Sequence, residues 1–414
     1  MPLSLAYLRN VPTRTAATAR RELPGRLGRV TLTLLLDSVG SSALAEACAA
    51  YAPGSELSLV EKLRRRYDAA VVTAAVTQAS LRHRAVAKFG PEDAARMYFT
   101  PDGLEQATRS TVGSHRAARI AGTLPGASVV DLGCGIGGDL ISAARAGLRV
   151  TGVERDPKTA AAARANLAAL GLAGEVLVAD AEAQDVTQYE VVFADPARRA
   201  DGRRVFDHNA YSPPWSFISE LLTRTACVKV APGIPHEVVP DGVEAEWVSD
   251  AGDVKEAALW SGKLYGGIAR RATLLPGGAT VASAPSAVDG PVARYIYEPD
   301  GAVIRAGLVT AVASAVDGWL LDPRIAYVTS DSLVATPLAS AYEVVEELPY
   351  REKALRAWVR AEGIGTLEIK KRGVDVDPAV LRKKLAPKGS ASATLIVTRI
   401  GRDAVAYSCR RVSA

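Results

Sequence analysis

Three acidic residues each accompany a short apolar run that is typical of a buried parallel strand. Asp131 lies in the first run, and Glu154 ends the second run 23 positions later. Asp180 follows a third run. Between the first two acids stands a glycine-rich turn, and glycine lets the backbone bend sharply and approach a ligand closely. This order of strand, glycine turn, helix, strand and acid predicts a site for an adenosine-containing cofactor. The glycines are Gly133, Gly135 and Gly137.

Two cofactors fit such a unit, a nicotinamide dinucleotide and S-adenosylmethionine. Asp131 favours the second, because it lies two residues before the first glycine. There a carboxylate would repel a pyrophosphate but can reach a cationic amino-acid group. Glu154 is placed to accept hydrogen bonds from ribose hydroxyls. Residues 127–156 resemble the first two motifs of class I S-adenosylmethionine-dependent methyltransferases. That resemblance implies that Asp180 accepts a hydrogen bond from the adenine amino group.

An aromatic-Thr-Pro element precedes this unit at residues 99–101. Thr100 followed by proline predicts a helix N-terminus, because threonine caps helices and proline is tolerated in their first turn. In several nucleic-acid methyltransferases such an element lies against the methionine end of the cofactor. The resemblance therefore implies that Thr100 also contacts the cofactor.

The fourth predicted strand, residues 189–194, ends in Asp-Pro-Ala-Arg-Arg. Many amino-group methyltransferases that act on bases carry Asp/Asn/Ser-Pro-Pro-aromatic at this place. In them the first side chain and the first proline carbonyl accept the hydrogens of the amine, and the aromatic ring stacks on the base. Here the acid and first proline fit, whereas Ala197 and Arg198 replace the other two. A guanidinium can stack on a base or bind phosphate. The predicted catalytic residues are Asp195, Pro196 and Arg198, with Arg199 as a substrate contact.

Three further residues are candidates for the substrate pocket. A Ser-Pro-Pro-Trp run begins at Ser212, 17 residues after the acid of the strand-end motif. Two prolines before an apolar stretch predict a helix start, but Tyr211 and Trp215 can still line the pocket from that loop. Lys229 is a cation on the apolar fifth strand. It either faces the site or forms a structural ion pair.

Positive charge is concentrated near the C-terminus. Residues 350–414 contain fifteen Lys and Arg and six Asp and Glu, a net charge of +9, whereas the whole chain carries +5 and the other 349 residues therefore carry −4. A basic region on a near-neutral body predicts a polyanionic partner, and nucleic acid is the first candidate. The residues expected to bind RNA phosphates are Lys370, Lys371, Arg372, Arg382, Lys383 and Lys384.

Composition and patterning divide the 414 residues into several parts. Residues 1–36 contain six arginines and one acid, and we interpret them as a basic N-terminal tail rather than a targeting peptide. Residues 37–95 show helical spacing of alanine and other apolar residues and are predicted to form a helical domain. Residues 96–284 hold the cofactor unit, and residues 291–414 show an α+β pattern. Residues 277–291 are rich in Gly, Ala, Ser and Pro and are predicted to be a linker or long loop.

Bulk composition narrows the class of protein and its compartment. The chain is 48% hydrophobic and 23% charged, which is ordinary for a soluble globular protein. The four cysteines are far apart and lack metal-ligand spacing, so reduced thiols, a cytoplasmic location and no metal are expected. No uncharged run is both long and apolar enough to span a bilayer, so no membrane association is expected.

The motifs together resemble a bacterial class I methyltransferase with a C-terminal THUMP-like domain. The stretches on which this resemblance rests are YFTPDGLEQATR, VVDLGCGIGGD, VFADPARR, YSPPW, VKVAPGI and the terminal IKKRGVDVDP with the following LRKKL. The aromatic-Thr-Pro element and the glycine turn also resemble trimethylguanosine synthases, which methylate a guanine amine. The implied fold is α/β, with a Rossmann-like seven-stranded sheet, an N-terminal helical domain and a C-terminal α+β THUMP-like domain. True THUMP domains bind RNA.

These observations predict an S-adenosylmethionine-dependent methyltransferase that methylates a base nitrogen in structured RNA, either tRNA or rRNA. One alternative is an RNA-binding protein that retains the cofactor but whose altered Asp-Pro-Ala-Arg element no longer catalyses. Another is a methyltransferase that acts on a small molecule or a protein.

Overall fold

The described residues form two large β-sheets, a short two-stranded ribbon and an N-terminal group of helices. The structure is a computed structural model in which residues 32–198 and 211–412 are described. Within these residues the first sheet has nine strands and the second has seven. The helical group precedes the first sheet in the chain, and the second sheet follows it. The predicted α/β class, with a helical N-terminal region and a separate C-terminal sheet, is confirmed.

The N-terminal region consists of helices α1 (Ser38–Ala50), α2 (Glu56–Leu63) and α3 (Ala69–Arg96). Asp37 caps α1, since its carboxylate accepts a hydrogen bond of 2.7 Å from the amide of the third helical residue. Helix α3 is interrupted at Gly90, where φ is +75° and a proline follows. The three helices bury an apolar cluster of their own among leucines, valines and alanines. The region is therefore a packed unit, and its longest helix continues towards the first sheet.

Eleven strands lie between residues 128 and 281 of the described chain, and nine of them form the first sheet. Both faces of its central strands are apolar, as is usual for parallel strands covered by helices on either side. The strands are β1 (Ser128–Leu132), β2 (Arg149–Val153), β3 (Glu175–Leu177), β4 (Val191–Ala194), β5 (Ala197–Arg198), β6 (Tyr211–Ser212), β7 (Ala226–Val230), β8 (Glu244–Asp250), β9 (Asp253–Trp260), β10 (Arg270–Leu275) and β11 (Ala279–Val281), of which β5 and β6 form a separate ribbon.

The strand order of the first sheet is β11-β10-β8-β9-β7-β4-β1-β2-β3. Strands β1 to β4 and β7 run parallel, and β9 is antiparallel to both of its neighbours. The seven strands predicted from the sequence all form, and β10 and β11 extend the sheet beyond them. Strand β11 lies inside residues 277–291, so the prediction of a linker is wrong there. The Gly277-Gly278 turn folds Ala279–Val281 back to pair with β10. The composition of this stretch does not indicate that pairing.

Helices cover both faces of this sheet. Apolar residues of α5, α6 and α7 pack on one face, and α8 packs on the other. Helix α4 lies beside the glycine turn. Among the described residues no helix is long and apolar enough to cross a membrane. The bounds are α4 (Pro101–Gln106), α5 (Ser110–Thr123), α6 (Gly138–Arg145), α7 (Pro157–Leu170) and α8 (Trp215–Leu221).

The second sheet is mostly antiparallel, with the order β13-β14-β12-β15-β18-β17-β16. Only β16 and β17 pair in parallel within it. Its elements are β12 (Tyr295–Pro299), α9 (Gly301–Arg305), α10 (Val309–Ala315), β13 (Trp319–Asp322), β14 (Ile325–Ser330), β15 (Ala339–Pro349), α11 (Glu352–Ala361), β16 (Ile364–Lys371), α12 (Pro378–Leu385), β17 (Ala391–Ile400) and β18 (Asp403–Val412).

The two sheets share one apolar core. Val228 and Trp247 of the first sheet belong to the same buried cluster as Val303 and Val312 of helices α9 and α10. Strand β15 pairs with β18 over most of its length. The basic stretch 350–414 is therefore part of a sheet that begins at residue 295, and cutting the chain at 350 would remove β16, β17 and β18 and leave β15 as an exposed edge strand.

Helix α5 is attached to β8 by a buried ion-pair network. Glu246 is fully buried and accepts hydrogen bonds from Arg119 at 3.0 Å and Thr273 at 2.6 Å, with His115 Nε2 at 2.9 Å. Burial alone would raise the pKa of Glu246, but these three partners outweigh it and lower the pKa to about 2. The carboxylate is therefore bound in its charged form.

Replacing Glu246 by glutamine should remove a pH-dependent part of the stability. Because its folded pKa lies below the unfolded value of 4.5, Glu246 contributes stability above pH 4.5 that is lost as the pH falls towards 2. The variant should lose about 2–3 kcal/mol at pH 7 and show a flatter acid limb. Urea unfolding between pH 7 and 2.5 measures the loss of unfolding free energy and its dependence on pH. Glu61→Gln, at an exposed position, is the control. Parallel acid limbs for Glu246→Gln and the wild type would contradict this assignment.

Candidate active site

The glycine turn after β1 forms an open cradle. Gly133 and Gly135 have φ values of +87° and +57°, and a Cβ built on either would meet no atom within 4 Å. The amides of Gly133 and Cys134 donate to the carbonyl of Val153 at 2.8 and 3.0 Å, which fixes the turn to β2. Gly137 differs, because a Cβ there would contact Ala163 of α7 at 3.4 Å. Gly133 and Gly135 thus leave room for a ligand, whereas Gly137 also allows close packing on α7, and its predicted contact with the cofactor stays a prediction.

The three predicted acids lie at the carboxyl ends of adjacent strands. Asp131 stands near the end of β1, beside Gly152 of β2. Glu154 follows β2, and its two carboxylate oxygens accept the amides of Gly135 at 3.1 Å and Asp156 at 2.9 Å. Asp180 is exposed shortly after β3. The structure therefore brings all three acids to the carboxyl ends of the strands, on the same side as the glycine cradle. Ligands of open α/β sheets bind at this place.

Asp131 is the most unusual of the three electrostatically. It is 3% exposed, and neither carboxylate oxygen has a hydrogen-bond partner among the described residues. It lines a cavity of about 20 Å³ together with Arg116, Asp139 and Phe193. Burial, followed by the charges of Asp139 and Asp195, raises the pKa of Asp131 well above its usual range, although Arg116 and Lys229 oppose the shift. A buried carboxylate without a partner fits a cationic ligand group, which would stabilise its charged form.

The segment before α5 covers the glycine turn. Thr100 caps α4, with its hydroxyl accepting the amide of Gly103 at 3.0 Å. A Cβ at Gly103 would collide with the Ile136 side chain, so this helix lies directly on the glycine turn. The predicted helix cap at Thr100 is therefore present, and it positions α4 above the cradle.

A chain of polar contacts connects the ends of β4 and β7 to the residues beside the glycine turn. Lys229 donates to Asp195 at 2.5 Å and to the Thr108 hydroxyl at 3.2 Å. The Thr108 hydroxyl donates to Asp139 at 3.0 Å. Arg116 then pairs with Asp139 and with Glu256 of β9, and lies 4.7 Å from the Phe193 ring centre. The residues linked in this way are, in order, Asp195, Lys229, Thr108, Asp139, Arg116 and Glu256.

Lys229 therefore forms an internal ion pair, the structural alternative that the sequence left open, while its predicted contact with the substrate stays a prediction. Burial alone would lower the pKa of Lys229, but the carboxylates of Asp195, Glu256 and Asp139 outweigh it and raise the pKa. The ammonium stays charged and holds one oxygen of Asp195. Opposite charges in such a network orient each other and favour a single arrangement.

Three ranges of the chain match known protein families. Residues 129–200 match the family described as methyltransferase domain, residues 339–411 match THUMP domain-like, and residues 28–85 match a domain of unknown function. Two Mycobacterium tuberculosis proteins, from strains CDC 1551 and H37Rv, are named uncharacterized S-adenosylmethionine-dependent methyltransferases. Each is 39% identical over 346 residues, which cover 80% of this chain and 94% of the relative. The chain belongs to the S-adenosylmethionine-dependent methyltransferases.

A crystal structure of a protein from Porphyromonas gingivalis W83, described as a methyltransferase, shares the fold of this enzyme. Its TM-score is 0.71 at 22% identity, over 92% of this chain and 99% of the other. The predictions of a class I methyltransferase with a THUMP-like C-terminal domain, and of S-adenosylmethionine as the cofactor, are confirmed.

The cofactor site of the methyltransferase fits S-adenosylmethionine. Asp131 offers two buried oxygens to the cationic amino-acid end, and the cradle at Gly133 and Gly135 leaves space beside it. Glu154 and Asp180 follow at the next two strand ends, where they would accept hydrogen bonds from ribose and adenine. When bound, the cofactor supplies a methyl group activated by its sulfonium. The protein has to orient the methyl acceptor towards that group.

The predicted catalytic segment begins beside this cradle. Asp195 is partly exposed directly after β4, and Pro196 is buried. Arg198 pairs with Tyr211 through the backbone of the β5–β6 ribbon, while their side chains and the whole of Arg199 lie outside the described structure. Trp215 begins α8 after the two prolines, as predicted, and packs partly buried on the core. The ribbon thus brings the two predicted substrate segments together.

The six basic residues predicted to bind RNA fall into two groups. Lys370 and Arg372 pair with Glu298 at 2.7 and 3.3 Å, and only 22% and 16% of their side chains are exposed. These ion pairs join β16 and its following turn to β12 and do not favour phosphate binding by Lys370 and Arg372, which stays a prediction. The remaining candidates are Lys371, Arg382, Lys383 and Lys384.

Helix α12 carries the most accessible of these residues. Lys383 is exposed and has no polar partner among the described residues, and Lys384 is exposed with Glu352 at 3.5 Å. Arg382 is exposed too, but it donates to the carbonyl of Leu367 at 2.7 Å. Lys371 is half-buried and lies 3.4 Å from the carbonyl of Val374.

Sequence reasoning missed the buried part of the active site. Asp139 and Thr108 connect the two ends of the site, yet each is an ordinary polar residue in sequence. Arg116 gave a usable signal, because it lies among Val112, Ala117 and Ile120 on the buried face of α5. An arginine on an apolar helix face requires buried carboxylates as partners.

Proposed function

We propose that this methyltransferase methylates a nitrogen atom of a base in structured RNA, such as tRNA or rRNA. The observation that carries the proposal is the arrangement of Asp195. Its Oδ2 is bound by Lys229 at 2.5 Å, and its Oδ1 has no hydrogen-bond partner among the described residues. A carboxylate fixed in this way accepts an N–H of the acceptor amine through its free oxygen. It then receives the proton as the new carbon–nitrogen bond forms.

Orientation should supply most of the catalysis. Fixing the nucleophile in line with the methyl group replaces a bimolecular encounter by a positioned one. Asp195 and the Pro196 carbonyl spread the positive charge that develops on the nitrogen. The base has to leave its stack to reach the end of β4, as bases do for other enzymes that modify them.

The C-terminal region supports RNA as the carrier of that base. Residues 339–411 match a THUMP domain-like family, and residues 350–414 carry a net charge of +9. Lys383 and Lys384 project from α12 with little internal pairing. Aromatic residues are scarce there, so phosphate contacts and RNA shape should dominate over base stacking.

A charge-reversal experiment tests this proposal. Total RNA from a strain that lacks the gene is incubated with the enzyme and labelled S-adenosylmethionine, and its nucleosides are analysed by mass spectrometry. The wild type should form one methylated nucleoside. Lys383→Glu/Lys384→Glu should form it more slowly and lower the slope of log binding constant against log salt by about 2, one for each lost phosphate contact.

Arg64→Glu/Arg65→Glu, in exposed positions after α2, is the matched control and should behave as the wild type. If this control loses RNA binding and the α12 variant does not, the RNA surface lies on the helical region. If the wild type methylates no RNA but remains active on small molecules or proteins, the RNA proposal is wrong. A protein that binds both ligands without transferring the methyl group corresponds to the inactive alternative.

A further inference from the structure

Residues 97–107, here called the strap, run between helix α3 and the glycine turn. At its start two buried side chains bind the backbone in place of a neighbouring strand. Gln78 of α3 is 1% exposed, and its amide group donates to the carbonyl of Phe99 and accepts the Phe99 amide at 3.1 Å. Both polar backbone groups of Phe99 therefore depend on one side chain of the N-terminal region.

Asn166 of α7 makes the equivalent contacts one residue earlier. It is fully buried, accepts the amide of Tyr98 at 2.6 Å and donates to the Tyr98 carbonyl at 3.0 Å. The same amide nitrogen donates to the carbonyl of Ile136 in the glycine turn at 2.8 Å. The strap and the glycine turn thus share one side chain, and a shift of either disturbs the other.

Lys88 of α3 fixes the far end of the strap. Its ammonium donates to the carbonyls of Leu104, Glu105 and Ala107 at 2.8, 2.7 and 2.8 Å, which are end groups of α4. Burial, followed by the charges of Arg109 and Lys229, lowers the pKa of Lys88 to about 8. At pH 7 the side chain therefore keeps the three protons that its three contacts use.

Apolar contacts complete the attachment. Phe89 of α3 and Phe99 of the strap lie with ring centres 5.6 Å apart. A Cβ at Gly138, where α6 begins, would be 3.6 Å from the Phe89 ring. Thr108, directly after the strap, contacts both Lys229 and Asp139. Helix α3 therefore packs beside the start of α6. Through the strap it also influences the glycine turn and Thr108, which contacts the Lys229–Asp195 ion pair.

We propose that helix α3 organises the cofactor site, with Gln78 and Lys88 as positioning residues that hold the strap on the glycine turn. This gives a role in catalysis to the helical region, most of which matches a domain of unknown function. The role depends on S-adenosylmethionine binding and is independent of the nature of the methyl acceptor. Neither side chain touches the reacting atoms. They act through Thr100, Ile136 and Thr108, whose positions the strap determines.

Lys88→Met and Lys88→Arg test the proposal in the full-length enzyme. Calorimetry gives the affinity for S-adenosylmethionine, and amide hydrogen exchange follows the strap and residues 133–138. Lys88→Met leaves three carbonyls without a donor, so the dissociation constant should rise roughly tenfold, the effect of about one hydrogen bond. Exchange should accelerate in both segments. Arginine can still donate to the carbonyls, so Lys88→Arg should recover most of the affinity.

Lys62→Met, at an exposed position of α2, is the control and should bind as the wild type does. Gln78→Leu provides a second variant that breaks the other end of the strap without touching Lys88. A lower melting temperature with unchanged cofactor affinity, in either Lys88→Met or Gln78→Leu, would overturn the proposal and leave α3 a purely structural helix. Equal losses of affinity in Lys88→Met and Lys88→Arg would also overturn it, since the carbonyl contacts would then not matter.

Discussion

Asp195→Asn should slow methyl transfer by roughly 10²- to 10⁴-fold, the range for a positioned proton acceptor. The substitution keeps the size of the side chain but removes the charge that Lys229 binds at 2.5 Å. An amide cannot take the proton of the acceptor nitrogen, and its orientation is no longer fixed by an ion pair. Cofactor affinity should stay near the wild-type value, because the contacts of the glycine cradle and Glu154 are unchanged.

Single-turnover assays on RNA from the deletion strain measure this rate directly, with calorimetry on the same samples for the cofactor. Asp241→Asn, at an exposed position, is the matched control. Lys229→Arg should retain part of the rate, since a guanidinium can still pair with Asp195, and Lys229→Met should lose more of it. If Asp195→Asn transfers methyl groups as fast as the wild type, the proton leaves by another route and the role of Asp195 fails.

The parts of the site that follow strand ends could be predicted from the sequence. Asp131, Glu154 and Asp195 each come at the end of an apolar run, and parallel strands place such ends along one edge. Glycines with room for a ligand could be recognised for the same reason, at Gly133 and Gly135. A local pattern was sufficient because strand, turn and acid are contiguous in the chain.

The contacts between distant segments could not be predicted in this way. Lys370 and Arg372 look like free cations in a basic stretch, but Glu298 pairs with both from more than 70 residues away. Gln78 gives no signal in sequence, although its side chain completes the backbone of Phe99. Such pairings depend on how helices pack against the sheet, and residue type alone does not encode that geometry.

Helix α5 connects two charged networks on the sheet. Arg116 binds Asp139 beside the glycine turn, and one turn later Arg119 binds Glu244 and Glu246 of β8. Breaking one member of a buried pair leaves an unpaired charge in a low-dielectric interior, which is costly. The helix is therefore held in one register against β8, and that register also places Arg116 next to Asp131.

Binding of S-adenosylmethionine should release a proton from Asp131. In the free enzyme, burial and then the charges of Asp139 and Asp195 raise the pKa of Asp131 well above its usual range. A cationic group bound next to its two unpartnered oxygens favours the charged form and lowers this pKa again. The affinity should therefore rise with pH over the interval between the lower pKa in the complex and the higher pKa in the free enzyme.

Calorimetry in two buffers of different ionisation enthalpy measures the released proton, because the buffer that takes it up adds its own heat. Asp131→Asn should give equal heats in both buffers and weaken binding by about 2 kcal/mol or more, roughly 30-fold, since a partner of a buried charge is lost. Glu154→Gln is the matched control: it removes a carboxylate that accepts two backbone amides, so it should weaken binding, but it leaves Asp131 unchanged and should keep the difference between buffers. Equal heats for the wild type would mean that Asp131 is already charged before the cofactor binds. In that case Arg116 and Lys229 would outweigh the burial of its carboxylate, and the prediction of proton release would be wrong.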